Sequence, residues 1–455
     1  MAWQRHVSQS IQLLYGCLQA EKGWPADPGL VLRTTAHHWQ TRATAYARNS
    51  FLAAYSTFID NTLVAVLQLL RVDDLFRRLT PWLEDSLAFL TRNWHYTADG
   101  NRIAYSLVNN AASDFSIPDQ YDVQQLLHKN TLKGYDAASD YNPQTSHFLA
   151  LCMKVVYEKE LVIKDVVESW WGLQFHSYWQ TGSDSFVIES DSGQRTFVPR
   201  TRAAVFCSED AVILSFRGSE PTNLINLRSA GTISMLECKG MGRVHSGFYG
   251  ALFNGDEEQG RLFDDLVGSI YSADAGKGKA IYLTGHSLGA ALSLLFAAEL
   301  HSRHSELAKR VAGIYAYATP RVGDAAFAKA FTDAFCNPER VYRVAHGADI
   351  IPYLPPKVLE YEDVGPEIFI TSTGRVLFNQ KDIKRAHKIE GWGFLPLYLY
   401  KLGRGLLGGS ENPMRTLYRL LLLVTFPGLN DHFPGDYEAK LRKALKEGNI
   451  DQRQA

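Results

Sequence analysis

The sequence predicts an α/β fold with a mostly parallel central sheet and helices on both faces. Three observations carry that prediction. From about Asn142 onward, short β-type runs alternate with helix-patterned runs, the arrangement that builds strand–crossover–strand units. The stretch Ile281–Leu295, IYLTGHSLGAALSLL, takes a buried-type strand through a tight glycine-flanked turn into an Ala/Leu helix. The 455 residues are 46% hydrophobic and 21% charged, ample material for a sizeable core.

In chain order, residues 1–140 read as a helical N-terminal region packed on a main domain spanning 141–445. Leu52, Tyr55, Ile59, Leu63, Val66 and Leu70 share one helical face, with Asp60, Asn61 and Gln68 opposite. A second amphipathic run covers Trp82–Leu90. SHFLALCMKVVYE follows as a helix, and WGLQFHSYW, SFVIES and RTFVPRTRAAVFCSEDAVILSFRG read as strands with turns between them. GRLFDDLVGSIYSA is a helix, AIYLT a strand, GAALSLLFAAELHSRH a helix and RVAGIYAYATP a strand. A helix around Ala325–Phe335 and a final strand in RVYRVAHGADIIP complete the alternation.

The net charge of -1 and pI near 6.9 exert no overall pull on nucleic acid or lipid. Cys17, Cys152, Cys207, Cys238 and Cys336 are scattered, odd in number and without metal-ligand spacing, so core thiols are expected, with no metal and no cofactor. Gln12 interrupts the one early apolar run, which falls short of the roughly 7–15 residues of a secretory signal. No stretch reaches the roughly 18 apolar residues of a membrane span. The expected location is the cytoplasm or its membrane face, with export by a leaderless route left open. Late in the chain, the insert 381–427 interleaves Lys381, Lys384, Arg385, Lys388, Lys401, Arg404, Arg415 and Arg419 with aromatic and Leu-rich runs. That texture suits contact with a membrane or lipid-droplet surface, and equally suits half-buried helices on the core.

Gly285-His286-Ser287-Leu288-Gly289 fits G-x-S-x-G between a strand and a helix, the context that gives the motif meaning. A strained turn lifts the Ser287 hydroxyl from the sheet, and side chains at Gly285 or Gly289 would strike neighbouring backbone. Serine is a weak nucleophile, so a base must take its proton and an acid must orient that base. In α/β-hydrolases the order is Ser, then Asp or Glu, then His. Beyond the last expected strand only His387 and His432 remain. His432, in the turn-rich LNDHFPGDYEAKL, is the expected base, and His387, in the charged run QKDIKRAHKIEG, an expected surface residue. Asp349, at the carboxyl end of a strand, is the expected acid. Asp324 is better explained as the N-cap of AAFAKAF. The Leu288 N–H is one oxyanion donor, and Ser219, after Phe216-Arg217-Gly218, is the other. Arg217 is expected to be structural.

AVILSFRGSE, GRVHSGFYGAL, IYLTGHSLGAALSLL, YATPRVGD, RVAHGADIIPYLPP and DHFPGDY occur in this order across roughly residues 142–440. Together they resemble the class 3 lipase family, fungal-type triacylglycerol lipases of the α/β-hydrolase fold. The resemblance implies Ser287 as nucleophile, Asp349 as acid, His432 as base, and Ser219 with Leu288 as the oxyanion hole. It also implies a lid after the oxyanion loop, here 220–241, which lacks tryptophan and has Leu224, Ile225 and Leu227 as its close apolar cluster. The interval from Asp349 to His432 is lengthened by the basic insert.

The expected function is therefore a serine carboxylester hydrolase cleaving acyl lipids through an acyl-enzyme, with an ester or acyl-lipid substrate and no nucleic-acid partner. An A-type phospholipase or galactolipid hydrolase with the same triad is the alternative within enzymes. A catalytically inactive lipase-like binding module is the alternative outside them.

Overall fold

In the computed structural model, the residues described are 94–96, 100, 102–110, 132, 141–181, 186–189, 195–198, 201–218, 235–253, 262–336, 340–388, 390 and 431–451. The fold below belongs to the compact unit formed by residues 56–187 and 196–455.

The alternation read from the sequence becomes an eight-stranded sheet. Its strands are β1 Gln174–Gln180, β2 Arg202–Cys207, β3 Ala211–Phe216, β4 Ala280–His286, β5 Val311–Tyr317, β6 Val341–His346, β7 Glu367–Ile370 and β8 Val376–Leu377. They lie side by side in chain order. β3 through β7 run parallel, while β1–β3 pair antiparallel at one edge and β8 antiparallel at the other. β4 and β5 are buried along their whole length, so they read as continuous apolar runs without polar alternation.

One face of the sheet packs Tyr282, Tyr315, Tyr317, Tyr342 and Ile368 against helix α1, Pro143–Val155. Asn142 caps α1, accepting from the Gln144 and Thr145 N–H groups at 2.9 and 3.0 Å, and Pro143 sits in the first turn where its missing N–H costs nothing. The Ser215 hydroxyl donates to the Cys152 carbonyl at 3.2 Å, fastening α1 to β3. Helices α2 Ser246–Phe253, α3 Leu262–Asp274, α4 Leu288–Arg303 and α5 Ala325–Phe335 follow. Asp324 caps α5 through the Phe327 N–H at 2.9 Å, the role its sequence position suggested. The last helix, α6 Pro434–Glu447, lies against α1 and ends at Gly448 in the left-handed conformation.

Several elements depart from expectation. β7 and β8 extend the sheet beyond the last strand the sequence suggested, because they are only four and two residues long and sit among turn residues. Within the region read as helical, Trp94–Tyr96 pairs antiparallel with Arg102–Ala104, and Tyr105 and Val108 join the core beside α1. The helices expected over Leu52–Leu70 and Trp82–Leu90 lie outside the described residues. So do positions 220–234 of the expected lid, whose last part is instead a β-hairpin of Met235–Cys238 with Gly242–His245. Of the insert, residues 381–388 and 390 are described and are helical. No helix among the described residues is long and apolar enough to cross a membrane.

Candidate active site

Where β4 ends, Ser287 adopts φ +58 and ψ -124, a conformation that L side chains rarely hold. Its N–H donates to the Tyr317 carbonyl at 2.9 Å, prolonging the sheet ladder. Its own carbonyl accepts from Ala290 and Ala291 at 3.0 and 3.1 Å, opening α4. One residue thus closes the strand and starts the helix. The two glycines are required by space. A Cβ on Gly285 would stand 2.4 Å from the Gly289 carbonyl, and one on Gly289 would stand 2.3 Å from the Phe216 oxygen. The Ser287 hydroxyl is buried and has no hydrogen-bond partner among the described residues.

The turn after β6 carries Asp349. Gly347, at φ +55, makes the turn. Asp349 Oδ1 accepts the Ile351 N–H at 2.9 Å, while Oδ2 faces His432 Nδ1 and the Tyr437 hydroxyl, each at 2.7 Å. Because an ionised carboxylate only accepts, His432 carries its proton on Nδ1 and leaves Nε2 as the basic nitrogen. That Nε2 is buried and also without a hydrogen-bond partner among the described residues. The structure therefore pairs Asp349 with His432, and it shows no hydrogen bond between His432 and Ser287.

The loop bearing His432 is tied down by its neighbour. Asp431 Oδ2 accepts the Ala348 N–H at 3.0 Å, and the Asp431 carbonyl lies 3.2 Å from His346 Nδ1. The Asp349 turn and the His432 loop are thereby stitched together. His286, the residue before Ser287, has its ring centroid 4.6 Å from that of His432. Burial first, and the adjacent His432 second, push the His286 pKa well below its ordinary value, so it is neutral. The Tyr157 hydroxyl meets His286 Nδ1 at 2.9 Å, and a Cβ on Gly218 would collide with that same hydroxyl at 2.1 Å. The Arg217–Gly218 turn is thus packed directly on the elbow. Arg217 is buried with its guanidinium 5.4 Å from the centre of the Tyr157 ring, consistent with a structural role. Leu288 opens α4, and its N–H belongs to the first turn, for which the helix itself supplies no acceptor. Ser219 lies outside the described residues.

His387 is not the solvated residue its charged surroundings suggested. Its Nε2 lies 2.9 Å from the Tyr353 hydroxyl and 3.1 Å from Glu367 Oε1, and its ring stands edge-on to Phe369. The sequence reading also missed Tyr437, Asp431 and Tyr157. Only the i, i+5 offset of Tyr437 from His432, at the start of a helix, hinted at the first.

Tyr437 has a measurable consequence. Burial first, and the Asp349 charge second, raise its pKa well above the ordinary range, so it remains a donor at any working pH. Removing this donor takes away one of the hydrogen bonds that hold the Asp349 carboxylate facing His432. Tyr437→Phe is expected to lower kcat on a soluble ester by about tenfold with KM little changed. An unchanged kcat with intact folding would show that the hydroxyl does not act on the pair.

The parallel sheet, the serine elbow at its carboxyl edge, and the Ser, Asp, His order define an α/β-hydrolase fold. Residues 213–359 match the class 3 lipase family. It is 25% identical to triacylglycerol lipase OBL1 of Arabidopsis thaliana over 338 residues, covering 64% of this chain and 63% of that protein. It is 40% identical over 104 residues to the secreted mono- and diacylglycerol lipase A of Penicillium cyclopium, covering 23% of this chain and 32% of that one. A solved Rhizomucor miehei lipase propeptide complex aligns with a TM-score of 0.37 at 21% identity, over 57% of this chain and 71% of that chain. The chain thus spans just under two thirds of the Arabidopsis relative and about one third of the Penicillium one.

Proposed function

We propose that the protein is a serine carboxylester hydrolase acting on acyl lipids. Ser287 Oγ attacks the ester carbonyl as His432 Nε2 takes its proton. The Leu288 N–H and Ser219 hold the oxyanion, and the intermediate collapses to an acyl-serine as His432 returns the proton to the leaving alcohol. Water, deprotonated by the same nitrogen, then releases the fatty acid and restores the serine. Asp349 holds the imidazole in the required tautomer throughout.

One observation carries this reading. A buried serine hydroxyl at a strained elbow and a buried, Asp-oriented imidazole nitrogen are both left without partners among the described residues. The ring bearing that nitrogen packs on the residue next to the serine. Buried polar groups are normally satisfied, so orphans at such a place point to chemistry. The names of the relatives favour neutral acylglycerols as substrates.

A panel of p-nitrophenyl esters, triacylglycerol, diacylglycerol and phospholipid, run beside Ser287→Ala, tests the proposal. Hydrolysis of simple esters and acylglycerols that vanishes in the variant is expected. Preferential cleavage of phospholipid or galactolipid would replace the substrate class. Equal rates from parent and variant would overturn the mechanism.

A further inference from the structure

We infer that the helix at 380–388 is a docking face for an anionic lipid bilayer. The inference goes beyond the hydrolytic reading and stands without it. The helix has two sharply different sides. Ile383 and Ala386 are buried in a small core with Ala345 of β6, Phe369 of β7 and Leu377 of β8. His387 adds its contacts to Tyr353 and Glu367. The helix therefore cannot roll. Lys381, Lys384, Arg385 and Lys388 fall at i, i+3, i+4 and i+7, which is a single stripe, and all are exposed.

None of these four side chains makes an ion pair or hydrogen bond among the described residues. Some cations elsewhere on the surface are matched, Lys329 with Asp333, Lys309 with Glu306 and Arg375 with Asp451, while Lys239, Lys277 and Lys446 stand singly; only on this helix do four unmatched cations share one stripe among the described residues. On this helix Asp382 is the lone unengaged acid, since Glu390 accepts from the Ser372 N–H and hydroxyl at 2.9 and 3.0 Å. Four cations uncompensated among the described residues, on one rigid face, make a local positive field on a protein whose net charge is only -1.

The shape of the patch decides what it recognises. A site for one phosphate needs donors that converge, and these diverge along roughly 10 Å of helix. A flat array of headgroups fits that spread. The chain continues directly into GWGFLPLYLYKLGRGLL, whose aromatic, leucine and basic mixture suits a bilayer interface better than a nucleic-acid groove.

The full chain carrying Ser287→Ala, which leaves vesicle lipid intact, is sedimented with phosphatidylcholine vesicles and with vesicles that also contain phosphatidylserine. Binding that requires phosphatidylserine and weakens with salt is expected. Lys381→Glu/Lys384→Glu/Arg385→Glu/Lys388→Glu should weaken it more than about 100-fold, with an unchanged circular dichroism spectrum. Should that variant misfold, Lys384→Gln/Arg385→Gln must still show an intermediate loss. Absence of binding, equal binding to both vesicles, no loss in a folded variant, or duplex DNA bound as tightly as vesicles would each overturn the inference. Because binding is read without turnover, none of these outcomes touches the hydrolytic proposal.

Discussion

Ser287→Ala is expected to lower kcat on a soluble ester by about 10⁴–10⁶-fold while leaving KM within a few-fold. The large figure follows from how the site is built. The backbone at 287 is held by the Tyr317 ladder bond and by the first turn of α4, neither of which involves the hydroxyl. Alanine at this position therefore keeps the elbow and removes only the reacting oxygen. His432→Ala should cost a similar amount, and the double variant little more than either single one, because nucleophile and base act as a unit. A fluorophosphonate should label the parent and neither single variant. Labelling absent from the folded parent would favour the inactive binding module over the enzyme. A Ser287→Ala rate within tenfold of the parent would mean that another group performs the chemistry.

The elbow was legible in the sequence because its constraints are local. Gly285 and Gly289 lie four residues apart, and the clashes that require them involve the same turn and the adjacent β3 end. Asp324 as a cap was legible for the same reason, since the N–H it caps lies three residues away. His387 was misread because the charged run around it has the composition of a solvated surface. The helical phase of Ile383, Ala386 and His387 was the signal that turned one side inward. β7 and β8 escaped because two to four residues are too few for periodicity to register. The partners of the base loop escaped for a different reason. Tyr437 reaches Asp349 across 88 residues, and Asp431 reaches Ala348 across 83, so no pattern within a window could reveal either.

A further pairing, more distant still along the chain, carries the second large effect, on stability. Glu438 of α6, fully buried, faces Lys154 Nζ at 3.0 Å and His147 Nε2 at 2.9 Å, both from α1, with Arg442 Nε at 3.0 Å along its own helix. Burial alone would raise the Glu438 pKa; Lys154 first, then His147 and Arg442, outweigh it and hold the carboxyl well below its ordinary value. Lys154→Met removes the chief partner and strands a buried negative charge, which is expected to cost about 3–5 kcal/mol in denaturant unfolding. Lys154→Met/Glu438→Met removes the charge as well as its partner, and should recover most of that loss. The sign with pH follows from the lowered pKa: the stabilisation is complete above the unfolded carboxyl's value, about 4.3, and is lost as pH falls toward the folded one. The parent should therefore lose stability steeply in acid, and the double variant less so. A single variant that costs under 1 kcal/mol, or a double variant as unstable as the single, would show that α6 is held to α1 by its apolar contacts alone. In that case the helix that follows His432 owes its place to Tyr437, Leu441 and Ala444 in the core, and the buried ions are passengers.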